Sequence, residues 1–132
     1  MAENTSVNVN EIMENVKGHD RLIIEDSDGK EYTLRYTRAI VKQMEKRGIT
    51  ADKAAEFLSN ASLTNVEEFI TKFVAPAFKS DQPKMTDDDV IALWCEIPDK
   101  QTLIAYLIAL FNQPMTSLLE NPTETRAKFR LV

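Results

Sequence analysis

The sequence predicts an α+β domain: an N-terminal β-hairpin, which a C-terminal strand could join, packed against about five to six mostly short helices. Three observations carry this reading. Two short strand candidates flank an Asp28-Gly29 pair, the composition of a tight strand connection, and the second alternates apolar with polar residues. From Thr37 onward the apolar spacing lengthens to about three and a half residues, the helical period. The order is strand, strand, then helices, whereas a parallel α/β sheet would alternate the two.

The hairpin strands are read as Arg21 to Asp26 and Glu31 to Tyr36. In the second, Tyr32, Leu34 and Tyr36 share one face and Glu31, Thr33 and Arg35 the other, so one side packs and the other meets water. Ahead of it, residues 1–20 read as a mobile segment holding a short helix from Asn10 to Lys17, with Ile12, Met13 and Val16 on one face and Gly18 as its stop. Residues 21–132 then form the single α+β domain.

Thr37 caps a helix carrying Ile40, Val41 and Met44, which Gly48 ends. Thr50 caps the next, with Ala54, Ala55, Phe57 and Leu58, closed by Asn60 and Ser62. Thr64 and Glu67 have capping-box spacing and open a helix through Phe69, Ile70, Phe73, Val74, Ala77 and Phe78, in which Pro76 predicts a kink or an early end near Val74. Thr86 and three successive acids suit the start of a helix with Val90, Ile91, Leu93 and Trp94, stopped by Ile97-Pro98. Asp99 caps a central helix, Lys100 to Asn112, and Pro114 opens a separate short one with Met115, Leu118 and Leu119. Residues 128–132 alternate and could return beside the hairpin, which alone would be marginal in water.

Composition narrows the function. At 132 residues, 43% hydrophobic and 28% charged, the chain can build one core without staples. A net charge of −5, with bases interspersed among acids, argues against nucleic acid, whose phosphates call for a basic face. One cysteine permits no internal disulfide and fits a reducing compartment. The N-terminal stretch lacks the pattern of a signal peptide, and the run Leu103 to Phe111 is about half a membrane span, so a cytoplasmic location is expected.

No constellation assembles a catalytic, cofactor or metal site. His19 reads as a solvated turn residue and Cys95, on an apolar stripe, as a buried thiol. Asp26, Asp28 and Gly29 begin a calcium-loop pattern, but Thr37 stands where its bidentate glutamate is required, so a hairpin turn is preferred. Asp87, Asp88 and Asp89 point around a helix start and complement its dipole. The three glycines each mark a turn and form no phosphate loop. What remains is protein binding. Leu103, Leu107 and Phe111 are apolar enough to serve core or partner, and Tyr106 lies on the flank of their stripe. These four are the candidate partner-binding residues.

The run from Lys30 to Arg38, then Val41, Gln43-Met44-Glu45 and Gly48, resembles a family of tailed-phage and prophage proteins of Gram-positive bacteria. Residues Phe73 to Lys79, Ile97-Pro98-Asp99-Lys100, Leu103 and the segment from Asn112 to Leu119 look like later helices of the same family, so the resemblance spans about Lys30 to Val132. Those are short tail proteins encoded near the tape measure gene and regarded as tail assembly chaperones. The resemblance implies a non-enzymatic protein of the host cytoplasm. It would bind the tape measure protein, and in some assemblies the tail tube protein, and be absent from the finished virion. The alternative is a connector or tail-completion protein retained in the virion. Expected partners are proteins, a second copy of this chain included, without cofactor, nucleic acid or membrane.

Overall fold

Alternating apolar side chains and one turn glycine build the hairpin seen in the computed structural model, which describes residues 9–124 and 126–132. Strands β1 (Leu22–Glu25) and β2 (Glu31–Leu34) are antiparallel, pairing Leu22 with Leu34 and Ile24 with Tyr32 on the core side and Ile23 with Thr33 on the outer side. The connection is longer than a two-residue turn. Gly29 alone takes a positive φ, 85°, and the Asp26 N–H and carbonyl bond Lys30 and Gly29 across it. The Asp26 carboxylate accepts the Asp28 and Lys30 N–H groups, each at 2.9 Å, and the Tyr32 hydroxyl at 3.1 Å.

The expected third strand is not there: among the described residues the sheet has two strands, and residues 128–132 are exposed without strand pairing. The outer edge of β2 is already satisfied. Gln82 Oε1 accepts the Thr33 N–H at 2.8 Å, Gln82 Nε2 donates to the Thr33 carbonyl at 2.9 Å, and the Arg35 N–H reaches the Ala77 carbonyl at 3.2 Å. A side-chain amide carries the donor and acceptor of a peptide, so Gln82 occupies the place of a strand. Gln82→Ala should leave that half-buried peptide unpaired and cost about 1–3 kcal/mol, read from urea unfolding.

Helix α1 (Val9–Val16) begins and ends one residue before its predicted limits. Ile12 and Val16 are buried in the main core, and Gln113 Nε2 donates to the Val16 carbonyl at 3.4 Å. The expected division at residue 20 is therefore not a packing boundary. The remainder of the expected mobile segment, residues 1–8, lies outside the described residues.

Helices α2 (Arg38–Lys46) and α3 (Ala51–Ser59) start where predicted, with Thr37 and Thr50 accepting the Ile40 and Lys53 N–H groups. The next start is corrected: Ser62, not Thr64, caps α4 (Leu63–Glu68) by accepting the Asn65 N–H. The change expected near Val74 is there, as a switch of helical register rather than an end of the rod, with Pro76 in the first turn of the segment that follows. The chain passes through a π-helical segment, Phe69–Val74, and resumes as α5 (Ala75–Lys79). The wider π turn shifts the hydrogen-bond register ahead of the residue that has no N–H to give. It also changes the phase of the buried stripe, so that Phe69, Ile70, Phe73, Val74, Ala77 and Phe78 all face inward.

Helix α6 (Asp87–Glu96) has a complete capping box: Asp89 N–H to Thr86 Oγ1 and Thr86 N–H to Asp89 Oδ2. Those bonds hold the Asp89 carboxyl below the usual carboxylate range, the bond from the Thr86 backbone most of all. Helix α7 (Lys100–Leu119) departs from expectation in length. It is one helix of 20 residues, not two, and Pro114 sits inside it. The lost Leu110 carbonyl bond is offset by burial of Leu103, Leu107, Ala109, Leu110 and Phe111 along the core side. Asp99 does stand at its N-cap, but in the left-handed region (φ 52°) and without a side-chain capping bond.

The α4–α5 rod, α7 and the hairpin meet at an aromatic cluster. The Phe73 ring lies 5.4 Å from Tyr36, 5.5 Å from Phe69 and 5.2 Å from Phe111, centroid to centroid. The Tyr36 hydroxyl, itself buried, donates to the Phe73 carbonyl at 2.6 Å. Burial pushes its pKa well above the ordinary 10.0. As pH rises past about 10 the unfolded chain's tyrosine ionises while Tyr36 keeps its proton, so stability is full below that pH and falls above it. Tyr36→Phe should cost about 1 kcal/mol near neutrality and flatten the alkaline loss, checked by denaturant unfolding across pH.

Candidate protein-interaction surface

The four residues chosen from the sequence do not form a surface. Leu103, Leu107 and Phe111 are buried in the core, Leu107 completely. Tyr106 is half-buried and lines a small cavity of 140 Å³ with Val16, His19, Arg21, Leu22 and Leu110, beside the open edge of β1. The stripe failed as a partner surface because α1, α3 and the aromatic cluster cover it.

The residues that do present apolar area to solvent lie farther along. Met115, Leu118 and Leu119, on the last turns of α7, are 56%, 66% and 75% exposed. They continue the spacing of Leu107 and Phe111 by three and four residues, so they lie on one helical stripe that outruns the body of the domain. The tail adds Phe129, Leu131 and Val132, all essentially fully exposed, and the hairpin adds Ile23. Reading Pro114 as a helix start hid this. The signal available in the sequence was the unbroken i, i+4 spacing through residue 115.

Candidates for chemistry fare differently from their predicted places. Cys95 is exposed, not buried: Val90, Leu93 and Trp94 take the inward positions of α6, and the residue after Trp94 turns outward. His19 is exposed in the turn after α1, as expected of a solvated turn residue. A groove of 690 Å³ runs between the hairpin and α6 and contains Asp26, Lys30, Tyr32, Lys84, Asp89 and Glu96. Two of its carboxylates are already engaged, Asp26 in closing the hairpin and Asp89 in capping α6. The backbone bond from Lys30 leads in keeping the Asp26 carboxyl below its ordinary range, while burial leads in raising the Tyr32 hydroxyl. Among the described residues no group of three His, Cys, Asp or Glu side chains could hold a metal ion.

Residues 13–131 match a family model described as a domain of unknown function, DUF5055. The chain belongs to this family. The DUF5055 match runs from the middle of α1 almost to the last residue, so the apolar end of α7 and most of the tail fall within the family domain. No curated protein and no solved structure matches the chain. Of the described helices, α7 alone has the length and composition of a membrane span, and 28% of that stretch is buried within the DUF5055 domain.

Proposed function

We propose that this protein is a tail assembly chaperone of tailed phages or prophages, acting in the host cytoplasm by binding the tape measure protein and covering its aggregation-prone helices until the tail assembles. The tail tube protein is the second client. The observation that carries the reading is the solvent-facing stripe of Met115, Leu118 and Leu119, a surface suited to pairing with an amphipathic helix. The resemblance of residues 30–48 and 73–119 to that phage family names the client. The role is non-enzymatic: it uses apolar area and no reacting group.

Quantitative mass spectrometry of purified virions tests it. A chaperone leaves before maturation and should be absent; recovery of the chain at fixed stoichiometry with the tail proteins would assign it to the virion structure instead.

A further inference from the structure

We propose that two copies of this chain associate by exchanging C-terminal tails, residues 126–132 of each adding as a strand to the open edge of β1 in the other. The proposal stands apart from the chaperone reading and rests on the hairpin and the tail.

The two edges of the hairpin are unequal. That of β2 is closed by Gln82 and Ala77. In this register the peptide groups of Leu22 and Ile24 face β2, so those of Arg21, Ile23 and Glu25 face outward. Among the described residues no backbone bond reaches them from elsewhere in the chain. An open edge is a template for strand addition, and on this one the half-exposed Ile23 stands between the charged Arg21 and Glu25 with no proline to block pairing.

The tail has matching features. Lys128, Phe129, Arg130, Leu131 and Val132 alternate in type, and Phe129 and Leu131 are 99% and 100% exposed, so their own domain does not cover them. Charge is complementary: residues 126–132 hold three bases and no acidic side chain, while residues 20–31 hold five acids and two bases. Beside the β1 edge lies the 140 Å³ cavity, in which Val16, Leu22, Tyr106 and Leu110 supply apolar walls and Asn15, His19 and Arg21 a polar rim, a space the size of one side chain. A strand placing Phe129 or Leu131 there turns Lys128 and Arg130 to the outer face, which carries Glu25. The contact is reciprocal, so a two-fold dimer closes it.

Sedimentation velocity on the whole chain and two variants is the test. The tail deletion of residues 126–132 removes only exposed residues, and Ile23→Pro removes an outward N–H from an edge strand, where proline is tolerated. At roughly 100 µM, ample for a Kd on the order of 10 µM, the whole chain should sediment as a dimer and both variants as folded monomers, with folding verified by circular dichroism. A whole chain that remains monomeric would overturn the proposal. So would a dimer that persists in the tail deletion, or in Ile23→Pro.

Discussion

Phe73→Ala is expected to remove a large share of the domain's stability. Phe73 is completely buried, its ring packs with Tyr36 just after β2, Phe69 of its own π-helical segment and Phe111 of α7, and its carbonyl accepts the Tyr36 hydroxyl. Truncation removes the transfer free energy of the ring and leaves a cavity that the surrounding π-helical backbone cannot easily close, a cost of about 3–5 kcal/mol. Against a typical total of roughly 5–15 kcal/mol that is a large share. The midpoint of thermal unfolding, followed by circular dichroism, should fall on the order of 10 °C. Phe73→Leu, which refills most of the volume, should cost clearly less.

The second large effect separates core from surface on a single helix. Leu107→Ala should destabilise by about 2–5 kcal/mol, because Leu107 is fully buried against the aromatic cluster. Leu118→Glu, three turns farther along α7, should change stability by no more than about 0.5 kcal/mol, because Leu118 is two-thirds exposed. Its expected effect is on partner binding, where a charge on the apolar stripe leaves a desolvated carboxylate facing the client helix. If the two variants exchanged behaviours, with Leu107→Ala stable and Leu118→Glu unfolded, the assignment of the two ends of α7 would be wrong.

Local chemistry was the most legible part of the sequence. Thr37, Thr50 and Thr86 cap the helices they were expected to cap, because a side-chain oxygen three residues ahead of a free N–H is a short-range relation. The hairpin was legible for the same reason, through Asp28-Gly29 and the alternation of Tyr32 and Leu34. Relations set by distant parts of the chain were not legible. That Gln82 would close the β2 edge, 49 positions from Thr33, and so leave no room there for the C-terminal segment, has no local signature.

Of the two interior prolines, Pro76 was read as a kink or an early end near Val74, where the helical register does change, and Pro114 was read as the start of a separate helix, which it is not. At Pro76 the backbone shifts to a π register, and at Pro114 the surrounding burial outweighs one missing bond. The candidate surface suffered most from this. With α7 cut at Asn112, the stripe seemed to end at Phe111, and the apolar residues nearest its middle looked like the partner face. Leu103, Leu107 and Phe111 are buried, and the exposed apolar end of the stripe is Met115, Leu118 and Leu119. Cys95 was misplaced by a single step around α6, the resolution at which a stripe of two or three residues defines an inward direction.

The proposal that this domain covers a client through the exposed end of α7 is tested most directly by co-expression with a phage tape measure protein, followed by affinity capture at micromolar concentration. The account predicts a soluble complex with the wild-type chain and its loss with Leu118→Glu, while Gln82→Ala, far from that stripe, still captures the client. Recovery of neither the tape measure protein nor the tail tube protein by the wild-type chain would contradict it.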